Sequence, residues 1–175
     1  MPDDDYTSLL EEARQRLELL GNHLPKIVEA AAISTIAKVP FNALCCRGGL
    51  IWRAEELART AHQCFDRGDV VAGILLTRGL TETVSALWYL KTLIERQLAN
   101  GLEPDLSERL MQLLLGQRIV TDLPTALNVQ TFVQHMSKTF PQLKEGYDSM
   151  SEYSHPNWAG SGFAFSKVNK DEFTV

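Results

Sequence analysis

The sequence predicts an all-α protein, a single-domain bundle of about five to seven helices around one long central helix. Two observations support this prediction. Apolar residues recur at helical spacing through most of the 175 residues, and no alternating pattern is long enough for a sheet. Because 45% of the residues are hydrophobic and no repeat interrupts the chain, we expect one domain over residues 1–158. Residues 159–175 are expected to be a tail that packs on the bundle or on a neighbouring subunit.

The first two elements are separated by residues that end or begin helices. An apolar stripe predicts an amphipathic helix from about Asp5 to Leu20, which Gly21 and Asn22 can end. Pro25 can open a short second helical run, because proline suits the first turn of a helix. Pro40 is then expected to break the pattern.

The second major helix is predicted from about Asn42 to Asp66. Its apolar face includes Leu44, Ile51, Ala54, Ala58 and Phe65. Gly48 and Gly49 lie inside this helix, where each glycine costs roughly 1 kcal/mol relative to alanine. We therefore expect another backbone to pass close to them.

The central helix is predicted to continue to about Leu98. Gly68 supplies the preceding helix with its C-terminal glycine, and Asp69 is expected to cap the new helix. Two opposite sides of this helix are apolar: one stripe holds Leu76, Leu80, Leu87, Leu90 and Ile94, and the other holds Val71, Ile74, Leu75 and Tyr89. A helix that is apolar on two sides is typical of the middle of a bundle.

Three shorter helices are predicted after the central one. The first runs from about Asp105 to Gly116, the second ends near Lys138, and the third spans about Pro141 to Tyr153. The tail from Ala159, in which phenylalanines alternate with small residues, is expected to be extended.

Composition excludes several classes of function. With 17 Lys and Arg against 22 Asp and Glu, the net charge is -5, so general binding to double-stranded DNA is not expected. The sequence shows neither a signal-type N-terminus nor an uninterrupted apolar stretch long enough for a membrane, and a cytoplasmic protein is expected. Its three cysteines and four histidines lack paired ligand spacing, so no metal or other cofactor is expected. Cys45 and Cys46 are interpreted as small core residues.

Four charged or titratable side chains fall on faces that are otherwise apolar. Arg78 and Glu82 lie one turn apart on the central helix and are expected to pair with each other or with a neighbour. Glu55 and His62 project in one direction from the preceding helix. These residues either fix the register of the bundle or contribute to a polar cavity, and the sequence leaves both open.

The segment SEYSHPNWAGSG marks the end of the last predicted helix. Pro156 disfavours helical backbone at His155, while Asn157 can hydrogen-bond the turn and Trp158 can cover it. His155 is therefore either a partner of the helix dipole or an exposed acid and base.

Three segments resemble a family of uncharacterised bacterial helical proteins related distantly to HEPN domains, the helical nucleotide-binding and RNase-toxin superfamily. They are KVPFNALCCRGGLIWRAEELART, GILLTRGLTETVSALWYL and YDSMSEYSHPNW, within residues 38–158. The resemblance implies a homodimer in which Arg78 and Glu82 face the histidine turn across a common cleft. The matching positions in the last segment are Tyr147, Ser151, His155 and Asn157. Catalytic HEPN ribonucleases carry an arginine shortly before the histidine, and this chain lacks it.

Three functions follow as alternatives. The first is a binding or interaction module, dimeric and without catalysis, in bacterial stress or phage defence. The second is a metal-independent RNase toxin in which His155 acts as acid or base and Arg78 stabilises the phosphate. The third is a bundle that binds a small polar ligand through Glu55, Arg78, Glu82 and His155.

Overall fold

A computed structural model describes residues 3–33, 38–101, 105–119 and 122–166. These residues form seven α-helices and one π-helix, which confirms the all-α prediction. They are α1 (Asp3–Asn22), α2 (Ala30–Ile33), α3 (Lys38–Arg67), α4 (Val70–Asn100), α5 (Leu106–Leu115), α6 (Val129–Ser137), α7 (Gln142–Tyr153) and the π-helix (Trp158–Phe163). Within those ranges no strand forms, and the β-type pairing is an isolated bridge between Gln117 and Thr125.

The two longest helices, α3 and α4, form a hairpin with a turn at Gly68. Gly68 has a φ of +79°, which a residue with a Cβ adopts only with strain. The predicted cap is absent: Asp69 makes no side-chain hydrogen bond to the start of α4 and instead accepts one from Arg67 Nε at 2.9 Å. Next to this turn, the ring of Phe65 fills the space that a Cβ on Gly73 would need.

Helix α4 is the centre of the bundle, as its two apolar stripes predict. It contacts α3, α5, α6 and α7. Among the described helices, α4 alone is long and apolar enough to cross a membrane by length and composition. Those two properties do not separate a membrane span from the central helix of a bundle, which is the position of α4 here. Leu75, predicted on an apolar stripe, is 46% exposed.

The hydrophobic core lies where α4 meets α3, α5 and α6. Its most buried members are Cys46, Leu90, Leu93 and Leu110. Tyr89 belongs to the same cluster, and its ring packs on Phe132 and makes a T-shaped contact with the His135 ring. Cys46 is thus a core residue, as predicted, and Cys45 beside it is half-buried.

The start of α3 differs from the prediction. Pro40, expected to break the helical pattern, is the third residue of α3, where a backbone N–H has no partner within the helix. Gly48 is buried and meets Cγ of Pro25, at 3.7 Å from where a Cβ would stand, whereas Gly49 is exposed with no atom within 4 Å of that point. The expected close approach therefore concerns Gly48 and a proline side chain.

The described part of the C-terminal tail is helical and not extended. Asn157 Oδ1 accepts a hydrogen bond from the backbone N–H of Gly160 at 3.0 Å, which caps the π-helix. A Cβ on Gly160 would stand 2.1 Å from the carbonyl oxygen of His155, so glycine permits this tight turn. Phe165 is 79% exposed. Residues 167–175 of the predicted tail lie outside the described residues.

Candidate functional site

A polar cluster joins the central helix to α6 and α7. The hydroxyl of Tyr147, on α7, donates a hydrogen bond to Glu82 Oε1 at 2.7 Å. The same hydroxyl oxygen accepts hydrogen bonds from Gln130 Nε2, on α6, at 3.2 Å and from Arg78 Nη2 at 3.4 Å. Arg78 Nη2 lies 3.7 Å from Glu82 Oε1. The predicted pairing of Arg78 with Glu82 is therefore present, and the Tyr147 hydroxyl contacts both.

Burial within this cluster is uneven. Tyr147 is 1% exposed, whereas the side chains of Arg78 and Glu82 keep 33% and 26% of their surface. The hydrogen bond with Tyr147 raises the pKa of Arg78. The guanidinium also lies 5.4 Å from the centroid of the Tyr147 ring, within cation–π range, and its buried Nε makes no hydrogen bond to a described residue. The cluster therefore combines a buried tyrosine with two partly exposed charged side chains, Arg78 and Glu82.

Beside Glu82, a notch of about 170 Å³ opens between α3, α4 and α6. Its polar edge consists of Glu82, Arg53 and Thr83. Arg53 Nε donates a hydrogen bond to Thr83 Oγ1 at 3.1 Å. The other residues that line the notch are apolar: Leu50, Ala86, Val129 and Phe132.

Glu55 and His62 do not join this cluster, contrary to the hypothesis of one shared cavity. Glu55 is buried and accepts a hydrogen bond from Arg59 Nε at 2.9 Å. His62 Nδ1 lies 3.0 Å from Asp66 Oδ2, and the ring lines a separate groove of about 370 Å³ between α1, α3 and α4. Both side chains have partners on their own helix, because residues four apart share a face.

His155 is exposed, so the histidine turn faces solvent. In the described parts of the chain, no hydrogen bond or ion pair connects its side chain with Arg78 or Glu82. Asn157 donates a hydrogen bond to the Glu152 carboxylate and caps the π-helix. Ser151 Oγ donates to the backbone oxygen of Tyr147 at 2.8 Å. The expectation that His155 turns inward toward Arg78 is wrong, and Ser151 and Asn157 have local structural partners.

One histidine does have ligand spacing, which the sequence analysis overlooked: Glu152 and His155 stand three residues apart, as in di-iron carboxylate bundles. Such a centre needs further ligands from other helices. Over the ranges that the structure describes, no three His, Cys, Asp or Glu side chains come together as metal ligands.

Sequence reasoning missed Gln130 and Arg53. Gln130 follows the Asn128 cap of α6 by two residues, which on local grounds is an ordinary helix start. Arg53 is one of many exposed charges on α3. Only the packing of α6 and α3 against α4 shows that both side chains reach the neighbourhood of Glu82.

A second surface feature lies where the segment before α2 crosses α3. Pro25 passes over Gly48, and its carbonyl oxygen accepts a hydrogen bond from Trp52 Nε1 at 2.7 Å. Leu44 and Trp52 lie one turn before and after Gly48 and are 37% and 48% exposed; Ile27 beside them is 76% exposed. We call the surface formed by Ile27, Leu44 and Trp52 the crossing face.

Comparison with models of protein families, with curated proteins and with solved structures finds no match to this chain. The resemblance to HEPN domains therefore depends on the three sequence segments alone.

Proposed function

We propose that the protein is a non-catalytic, HEPN-like binding module that acts as a homodimer in the bacterial cytoplasm, in stress or phage defence. The observation that carries this proposal is the hydrogen bonding of the polar cluster, together with the position of His155 outside it. The Tyr147 hydroxyl uses its hydrogen and both acceptor positions on Glu82, Arg78 and Gln130, while His155 stands apart on the surface. A general acid or base must reach the group that it protonates or deprotonates, and His155 has no such neighbour in the cluster.

The crossing face supports the dimer. Apolar side chains of this size are unusual as a group on the surface of a monomer, and tryptophan is enriched at interfaces. A cavity of about 390 Å³ beside them is bordered by Ile27, Leu44, Glu29 and Arg47. A two-fold interface brings the same patch of both subunits together, so a patch that carries both signs of charge can complement itself.

Glu29 and Arg47 are the two charged residues that line this cavity. Both are exposed, and neither forms an ion pair with any residue that the structure describes. In a two-fold dimer, Arg47 of one subunit can meet Glu29 of the other, and the contact occurs twice. We propose that the crossing face is the dimer interface and that these two residues set its register.

Sedimentation equilibrium tests the dimer through a charge exchange. The wild-type protein should have twice the mass of the chain, and Arg47→Glu should weaken association because it places like charges opposite each other. The double variant Arg47→Glu with Glu29→Arg should regain association. Arg14→Glu on α1, outside the crossing face, serves as the matched charge change and should keep the wild-type mass. A monomeric wild type, or a dimer that Arg47→Glu leaves intact, would contradict this assignment.

Ribonuclease assays test the absence of catalysis. Purified wild-type protein should cleave structured and single-stranded RNA no faster than the His155→Ala and Arg78→Ala variants, and its expression should leave growth unchanged. Growth arrest that both substitutions relieve would establish the toxin alternative instead.

A further inference from the structure

We propose that the notch beside Glu82 binds a small zwitterion, a molecule with one ammonium group, one carboxylate and a short apolar side chain. This inference rests on the proposal that the cluster binds and does not catalyse, and it names the class of ligand. It depends on three properties of the notch: a carboxylate oxygen and two guanidinium nitrogens that make no hydrogen bond to a described residue, and a lining that is otherwise apolar.

The carboxylate of Glu82 has one oxygen in use. Oε1 accepts the hydrogen bond from Tyr147 and lies near Arg78, whereas Oε2 makes no hydrogen bond to a described residue. Tyr147 and Arg78 hold this carboxylate in place, and Glu82 is one of the residues that line the notch. A fixed carboxylate oxygen is suited to accept a charge-assisted hydrogen bond from an ammonium group.

Arg53 supplies the opposite charge. Its Nε is used by Thr83, while its two terminal nitrogens make no hydrogen bond to a described residue. The bond with Thr83, which is buried, orients the guanidinium at the polar edge of the notch. A planar guanidinium with two free nitrogens matches the two oxygens of a carboxylate.

The size and the wall of the notch limit the ligand. At about 170 Å³ it is smaller than the roughly 300–1,000 Å³ pockets that take drug-sized ligands, so the ligand has few heavy atoms. The wall of Leu50, Ala86, Val129 and Phe132 favours a branched aliphatic group. An α-amino acid with such a side chain presents all three features.

Titration of the 175-residue protein by two-dimensional NMR tests this assignment. The probes are L-valine, isobutylamine, which lacks its carboxylate, and 3-methylbutanoate, which lacks its amine. L-valine should shift the Gln130 side-chain amide and the Val129 backbone signal and should bind about tenfold or more tightly than either partial probe, because each lacks one charged contact. Equal affinity for the three probes would overturn the assignment.

Substitutions separate the notch from other causes. Glu82→Gln keeps an oxygen that can accept the hydrogen bond from Tyr147 but removes the negative charge. Arg53→Gln removes a positive charge, and because Arg53 is exposed, this substitution leaves the core intact. Each should weaken L-valine binding by about tenfold or more. Glu95→Gln, a loss of charge elsewhere on α4, should not. If L-valine affinity is unchanged in both notch variants, the assignment is wrong. A failure of L-valine to bind in this way would not change the sedimentation and ribonuclease results. Likewise, a failure in those two experiments would not change the result of the L-valine titration.

Discussion

Tyr147 donates its hydroxyl hydrogen to Glu82 Oε1 at 2.7 Å, across 65 positions of sequence, and so connects the last α-helix to the central one. Tyr147 is 1% exposed, while the Glu82 side chain keeps 26% of its surface. The contact thus fixes a charged group at the surface from within the bundle.

Tyr147→Phe should destabilise the protein by about 1–3 kcal/mol, because Glu82, Gln130 and Arg78 lose a shared partner while the ring is kept. Urea denaturation measures the change. Tyr153→Phe on the same helix is the control, since the Tyr153 hydroxyl makes no hydrogen bond to a described residue, and it should change stability by less than about 0.5 kcal/mol. Equal effects of the two substitutions would mean that the hydroxyl of Tyr147 contributes nothing.

Gly73→Ala should destabilise the α3–α4 hairpin. The new Cβ would stand 2.6 Å from the Phe65 ring, so the ring or the helices must shift, at about 1–3 kcal/mol. Gly49→Ala, at an exposed helix position with open space around it, should instead stabilise the protein by about 0.5–1 kcal/mol. Thermal unfolding of both variants measures the change in stability, which should be negative for Gly73→Ala and positive for Gly49→Ala.

The stability of the protein should fall on acidification through His135. Burial lowers the pKa of His135 below its ordinary 6.5, and the nearby Arg96 and Lys138 lower it further. Its Nδ1 is buried and makes no hydrogen bond to a described residue. Between the unfolded pKa of about 6.5 and the lower folded pKa, the unfolded chain binds a proton that the folded chain does not, so the free energy of unfolding decreases as pH falls.

His135→Phe should flatten this dependence, because phenylalanine keeps the edge contact with the Tyr89 ring and does not titrate. Denaturation of both proteins between about pH 7 and pH 5 gives the comparison. A parallel decline of wild type and variant over that range would exclude His135 as the cause.

The cysteines should differ in reactivity. Burial, with a smaller effect from Cys45, raises the pKa of Cys46 to about 11, so the reactive thiolate is scarce near neutral pH. Iodoacetamide should therefore modify half-buried Cys45 in the native protein, and buried Cys46 and Cys64 only after unfolding. Mass spectrometry of peptides after timed labelling measures the order, which faster labelling of Cys46 than of Cys45 would contradict.

The sequence allowed the helices and the pairing of Arg78 with Glu82 to be predicted, because both depend on residues that are neighbours along one helix. The start of α3 was predicted at about Asn42, whereas the helix begins at Lys38. The reason is that proline breaks a helix in its interior but is accepted in the first turn, and the sequence alone does not show which position Pro40 has. The tail was expected to be extended because its phenylalanines alternate with small residues, but the cap by Asn157 and the fit of Gly160 favour a π-helix.

The composition of the polar cluster was predictable only in part. Tyr147 was singled out through the resemblance, yet its bonds to Glu82 and Gln130 depend on how α6 and α7 dock on α4, which no local pattern encodes. The same limit explains why His155 was placed with Arg78. A proline fixes the backbone of the preceding residue but not the direction in which the whole turn faces.

The α3–α4 hairpin also bears on the order of folding. Its helices are consecutive in sequence and share the most extensive interface in the bundle, so their contacts close a short loop at Gly68 and cost little chain entropy. Tyr147 must cross a much longer loop to reach Glu82. We therefore expect the hairpin to be structured in the folding transition state and the docking of α7 to follow, so that Gly73→Ala slows folding while Tyr147→Phe mainly speeds unfolding.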